Sequence, residues 1–122
     1  MSLQPLISII DDDASVRLAV LSLLRSFGLK GLAFDSAEAF LASGELENTK
    51  LVITDIHMPG MSGIDLKRNL DAQGSTVPVI MITAKTEVAV MERARACNPS
   101  CLLKKPFDSE EFITCVERAL AL

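Results

Sequence analysis

Apolar residues in this chain fall into five short runs, separated by longer stretches in which apolar and polar positions recur at helical spacing. The runs are Leu6 to Ile10, Gly31 to Phe34, Leu51 to Thr54, Val77 to Ile82 and Cys101 to Leu103. An amphipathic segment follows each one, so the pattern predicts five strand–helix units. Leu6-Ile7-Ser8-Ile9-Ile10 and Val79-Ile80-Met81-Ile82 are almost continuously apolar. That suits strands covered by helices on both faces of a parallel sheet.

The helical stretches carry their own punctuation. In the first, Val16, Val20, Leu23, Leu24 and Phe27 form one stripe, and Gly28 is placed as a stop. The last opens with Asp108 and Glu111 at capping-box spacing and sets Phe112, Val116 and Leu120 along one face. Asp35 and Glu38 predict the same kind of start for the second helix. The fourth is thin in large apolar residues, with Val88, Val90 and Met91 followed by Glu92-Arg93-Ala94-Arg95-Ala96, and is expected to be the least firmly packed. Repeated strand–helix alternation predicts an α/β fold with a doubly wound parallel sheet.

In such sheets functional groups collect at the carboxyl ends of the strands. The residues there are Asp11-Asp12-Asp13 after the first run, Asp55 after the third, Thr83 after the fourth and Lys105 after the fifth. Carboxylates brought together repel and raise one another's pKa values unless a cation neutralises them. An all-oxygen cluster suits a hard ion, magnesium first with manganese as a substitute, holding few protein ligands and several waters. A carboxylate nucleophile, a hydroxyl and an ammonium beside that ion fit phosphoryl transfer. Taken singly, each residue also suits a helix cap, a turn or a loop. That plainer reading leaves their shared sheet edge unexplained.

The 122 residues are 49% hydrophobic, enough for one core, and residues 1–122 are read as a single domain without repeat or linker. Twelve basic against sixteen acidic residues give net charge −4. This surface lacks the basic footprint that a nucleic-acid backbone requires. There is no apolar run of membrane-spanning length and no secretion signal, so a cytoplasmic protein is expected. Cys97, Cys101 and Cys115 are odd in number and are read as reduced thiols; a C-x3-C metal pair completed by Cys115 lacks a fourth ligand. Met1-Ser2-Leu3 is assigned no structure.

Over nearly its whole length the chain resembles the receiver domains of bacterial two-component response regulators. Ile9-Ile10-Asp11-Asp12-Asp13-Ala14-Ser15-Val16-Arg17 looks like their acidic opening, and Thr54-Asp55-Ile56-His57-Met58-Pro59-Gly60-Met61-Ser62-Gly63 like their phosphorylation loop. Thr83-Ala84 and Lys104-Lys105-Pro106-Phe107 match two further signatures, with 28 residues from Asp55 to Thr83 and 22 from Thr83 to Lys105. Ser36-Ala37-Glu38-Ala39-Phe40-Leu41 and the wording of the loop are most similar to receivers that precede a helix-turn-helix output domain.

The resemblance implies a flavodoxin-like (βα)5 sandwich of strand order 2-1-3-4-5 and a signalling phosphoacceptor, not an enzyme with its own substrate, that assists its own phosphorylation and dephosphorylation. Asp55 would take the phosphoryl group from a sensor histidine kinase. Asp12 and Asp55 would bind magnesium through their side chains and His57 through its backbone carbonyl. Asp11 would act through a water or toward Lys105. Thr83 would donate to the phosphoryl oxygens and Lys105 would pair with them, held by a cis peptide before Pro106. Asp13 matches an acid near the metal waters and equally suits a helix cap.

The imidazole of His57 is expected to be solvated, and His57 and Lys85 to flank the pocket entrance and tune the phosphoryl lifetime. Met58 to Gly63 reads as a rigid turn, with two glycines able to take unusual backbone angles, that shapes the pocket. Ala84 is small, as an approaching phosphodonor requires. Partners implied are the kinase, an output domain or effector beyond this chain and a phosphorylation-dependent homodimer, met through the face of the fourth helix, fifth strand and fifth helix.

Two departures concern transmission of the signal. Leu102 stands where the family commonly has Tyr or Phe, and Cys97-Asn98-Pro99-Ser100 where it usually has Ala-Gly, although Asn98 can take a left-handed conformation. A receiver-like module without phosphorylation would be expected to lack a pocket group, and none is missing. A haloacid-dehalogenase-type phosphatase wants a second Asp where His57 stands. A flavin carrier wants a glycine- and hydroxyl-rich phosphate loop where three aspartates stand.

Overall fold

Five parallel strands, β1 (Leu6–Ile10), β2 (Lys30–Phe34), β3 (Thr49–Asp55), β4 (Val79–Thr83) and β5 (Cys101–Lys104), form one sheet in the order β2-β1-β3-β4-β5. The computed structural model describes residues 5–84 and 87–121. Between the strands run α1 (Ala14–Ser26), α2 (Ala37–Ser43), α3 (Gly63–Ala72) and α4 (Val88–Ala96), and α5 (Ser109–Leu120) follows β5. A 3-10 turn over Glu45–Asn48 leads into β3.

Side chains alternate across a strand, and here the alternation divides the core in two. Ile7, Ile9, Leu51, Ile53, Ile80, Ile82 and Leu103 pack with Val20 and Leu24 of α1 and with Phe112 and Val116 of α5. Ile10, Val52, Val79 and Met81 face the other way, against Phe40 of α2, Leu66 and Leu70 of α3 and Ala94 of α4. Both strand faces are therefore apolar, which accounts for the unbroken runs in the sequence. Each fully buried Leu, Ile or Phe contributes roughly 1.5–3 kcal/mol. The buried Ser8 hydroxyl donates to Thr49 Oγ1 across β1 and β3 at 2.7 Å, and the Thr49 hydroxyl donates in turn to Glu45 O at 2.7 Å.

Several expectations change in detail. α2 is capped by Ser36, whose hydroxyl accepts from the Ala39 N–H at 3.0 Å; Asp35 is not the cap. Phe27 lies past the end of α1 and is exposed, so the buried stripe of that helix ends at Leu24. In α4 only Met91 and Ala94 are buried, and Val88 is 71% exposed. As expected, Asn98 takes the left-handed conformation, at φ 53°, and the Lys105–Pro106 peptide is cis.

The cysteines require a larger correction. Cys101 and Cys115 are joined in a disulfide, and only Cys97 is a free thiol. Cys101 has the same strand parity as Leu103, which turns it toward α5, and Cys115 sits one turn beyond Phe112 on the helix that covers that face. Met1-Ser2-Leu3 and Lys85 lie outside the described residues.

The start of α3 carries a full capping box. Ser62 accepts from the Asp65 N–H at 3.0 Å, and the Asp65 carboxylate accepts from the Ser62 N–H at 3.1 Å. Hydrogen bonds from Ser62 hold the Asp65 carboxyl below its ordinary value of 3.8. A lowered folded-state pKa contributes stability that is present above the unfolded value and lost as pH falls through the folded one. Asp65→Asn is therefore expected to melt below the parent protein at pH 7, with the gap closing below about pH 4. Melting curves over that pH range check it, and a gap that stays constant in acid contradicts it.

Candidate functional site

Strand register brings the polar residues together. Ile10 pairs with Thr54 and Asp55 with Ile82, so Asp11, Asp55, Thr83 and Lys105 all lie at the carboxyl ends of the strands. Asp55 is the last residue of β3, one place inside the sheet relative to the sequence reading. Its backbone is fixed on both sides, with Thr54 Oγ1 donating to the Asp55 carbonyl at 2.9 Å and the Ile56 N–H donating to Ile82 O at 3.0 Å. Lys105 is tied to β4 by its N–H, which donates to Thr83 O at 2.8 Å.

The Lys105 ammonium stands between two buried carboxylates, 3.3 Å from Asp11 Oδ2 and 3.2 Å from Asp55 Oδ2. Asp55 Oδ1 accepts from the His57 N–H at 3.3 Å. Asp11 Oδ1 accepts from the Asp13 N–H at 2.9 Å, and Arg17 Nη1 donates to Asp11 O at 2.7 Å. The sequence reading gave no role to Arg17, which anchors the acidic turn to α1. Asp13 turns outward as the N-cap of α1, accepting from both the N–H and the hydroxyl of Ser15. Thr83 is wholly buried at the end of β4.

Burial raises the Asp11 carboxyl above the usual carboxylate value, and the charge of Asp55 adds to it, against the Asp13 N–H and Lys105, which act to lower it. Burial alone would lower the Lys105 ammonium, but Asp55 and Asp11 outweigh it and hold the group above the usual lysine value. The contribution of its raised pKa to stability is thus present at neutral pH and is lost as pH rises through that raised value. Carboxylate oxygens of Asp11, Asp12 and Asp55 all lie within 4.8 Å of one another. One lysine does not balance three carboxylates, and the excess charge with an all-oxygen donor set fits a hard divalent cation.

Two surroundings differ from expectation. The His57 imidazole is only half-exposed, and its Nε2 is buried without a hydrogen-bond partner among the described residues. A cavity of about 500 Å3 beside the loop is lined by His57, Met58, Asp65, Val90 and Arg93, among others, and the acidic cluster does not open into it. Glu38, read from the sequence as part of a helix start, instead reaches the loop. Its Oε2 accepts from the Met61 N–H at 3.1 Å and lies where a Cβ on Gly60 would stand, while Gly60 itself holds φ at +77°. No sequence spacing announces that contact, because it joins residues 23 apart through the tertiary fold.

A five-stranded parallel sheet with an acidic cluster and a lysine at its carboxyl edge defines a class of small α/β signalling domains. The model of the response regulator receiver domain matches residues 7–117, and the chain belongs to that family, which serves two-component signalling. The transcriptional regulatory protein FixJ of Azorhizobium caulinodans is 36% identical over 114 residues, covering 93% of this chain and 54% of its own length. The response regulator protein TodT of Pseudomonas putida is 35% identical over 116 residues, covering 95% and 51%. The chain thus spans about half the length of these relatives. The FixJ-N crystal structure superposes with a TM-score of 0.88 at 31% identity, covering 98% of this chain and 96% of that one. A receiver protein from Burkholderia phymatum gives 0.84 at 38% identity, covering 98% and 97%. No helix among the described residues is long and apolar enough to cross a membrane.

Proposed function

We propose that this chain is the phosphoacceptor of a two-component pathway and that Asp55 carries the phosphoryl group. The observation that supports this best is the Lys105 ammonium held between Asp11 and Asp55 at the edge of the sheet. Asp55 is nucleophile: one carboxylate oxygen forms a bond to phosphorus as the P–N bond of a kinase phosphohistidine breaks, and the freed imidazole takes up a proton. The product is an acyl phosphate on the protein.

The other groups meet the charge that this step moves. Lys105 leaves its contact with Asp55 Oδ2 to pair with a phosphoryl oxygen, so positive charge is already present where negative charge arrives. The Thr83 hydroxyl, at the neighbouring strand end, donates to a second oxygen. Asp11, Asp12, Asp55 and the backbone carbonyl of His57 would hold magnesium, or manganese in its place, with Asp11 acting through water. When bound, that ion supplies charge neutralisation for the carboxylates and the phosphoryl oxygens.

The same groups promote hydrolysis of the acyl phosphate, so the domain assists its own dephosphorylation while acting as a signalling acceptor. In this reading the protein works in the cytoplasm, takes its phosphoryl group from a sensor histidine kinase and presents the α4–β5–α5 face to an output domain or to a second copy. Leu102 of β5 packs against the core under α4, and it replaces an aromatic swing with a smaller change of packing.

Incubation with acetyl phosphate and magnesium, followed by intact mass, tests the proposal. One base-labile phosphoryl group per chain is expected, and chelation of the metal is expected to prevent its formation. An unchanged mass under conditions that leave the protein folded would overturn the reading.

A further inference from the structure

Cys101 opens β5 and Cys115 lies midway along α5, with their Cα atoms 6.0 Å apart and a disulfide between them. That separation lets two cysteines bond without backbone movement. Both are half-buried against the core under α5. Cys115 also lines a surface cavity of about 480 Å3 with Leu102, Asp108, Glu111 and Thr114, and Cys101 does not. An open cavity thus borders one residue of the pair and not the other. Cys97 is a free thiol that packs with the core on the opposite face of the sheet, and it donates to Arg93 O at 3.4 Å.

We propose that Cys101 and Cys115 form a reversible thiol–disulfide modification site, entered through Cys115, whose state sets how firmly β5 is held to α5. Reversibility rests on the cytoplasmic placement of the proposed function, because the thiol pool there keeps disulfides transient. Forming the bond, the Cys115 thiolate attacks one sulfur of glutathione disulfide and expels one glutathione thiolate, leaving a mixed disulfide. The Cys101 thiolate then attacks the Cys115 sulfur and expels the second glutathione. The two cysteines give up two electrons and two protons, and glutathione disulfide becomes two thiols.

The position gives this chemistry a consequence. β5 has four residues and is an edge strand, paired among the described residues only with β4. The bond ties its first residue to α5, next to Leu102, which packs under α4. With the bond open, β5 and α5 are joined by the packing of Leu103 against Phe112 and Val116. In a receiver with leucine in place of the usual aromatic, the adjacent thiol pair becomes a second input to the same face.

The test uses the whole chain with Cys97→Ser, equilibrated in glutathione buffers from fully reduced to fully oxidised. Free thiols are trapped by alkylation and counted by intact mass. Both are expected to be free in the reduced buffer and closed in the oxidised one, changing together, with the reduced form melting on the order of 5–10 °C lower. Cys101→Ser in that background should leave a Cys115–glutathione adduct, and Cys115→Ser should leave Cys101 slower to react. Two thiols still free in oxidised buffer would overturn the proposal, as would a bond that survives excess reduced glutathione or equal melting of the two forms. Acetyl phosphate uptake by both forms separates the questions: if neither gains a phosphoryl group the phosphoacceptor reading fails, while the thiol titration still decides this one.

Discussion

Asp55→Asn is expected to abolish phosphoryl uptake from acetyl phosphate while leaving the fold intact. The amide keeps the size of the side chain, and its oxygen can still accept from the His57 N–H, the contact made at 3.3 Å by Asp55 Oδ1. It offers no carboxylate oxygen to phosphorus, and removing the nucleophile of a covalent step costs at least about a thousandfold in rate. The variant also removes one negative charge from a buried cluster in which Asp55 helps to raise Asp11 and Lys105 faces both acids. A melting temperature equal to or above that of the parent protein is therefore expected without added metal. Intact mass over time reads the uptake, and thermal melting reads the fold. A folded Asp55→Asn chain that gains mass at the parental rate would place the acceptor elsewhere.

The architecture was legible because both faces of the sheet are buried. Ile7, Ile9, Val79 and Ile80 are all apolar whichever way they point, so strand positions stood out, and the polar residues just beyond them marked the carboxyl edge. The gathering of Asp11, Asp55 and Lys105 followed from that edge alone. Contacts between distant elements were not legible. Ser36 rather than Asp35 caps α2 because the cap is decided by which residue takes the extended backbone before the first turn, and both offer an oxygen. Glu38 reaches the Met61 amide only because α2 packs beside the β3–α3 loop. The Cys101–Cys115 bond depends on strand parity meeting a helix face. An odd cysteine count in a chain expected to be cytoplasmic pointed away from it.

Gly63 joins the two levels. Read from the sequence, glycine there can take an unusual backbone angle; its φ is not in the left-handed region, and the reason for glycine is space. A Cβ there would land on the carbonyl oxygen of Asp55 and against the Ile56 Cα at 3.1 Å, and this backbone is held in the sheet. Gly63 also donates its N–H to Ile56 O at 3.0 Å, so α3 begins in direct contact with the end of β3. Gly63→Ala cannot relax through a flexible side chain, because the obstructing atoms are main chain. Either α3 moves outward, breaking that hydrogen bond and loosening Ile64 and Leu66 in the core, or Asp55 is displaced from Lys105. Overpacking of this kind costs roughly 1–3 kcal/mol. A melting temperature lower by on the order of 5–10 °C is expected. Because the clash falls on the peptide of Asp55 itself, phosphoryl uptake should also slow by about tenfold or more, since small misplacements of a reacting group cost about that much or more. A variant that melts and accepts phosphoryl groups like the parent would mean that α3 can begin farther from β3 without disturbing the site.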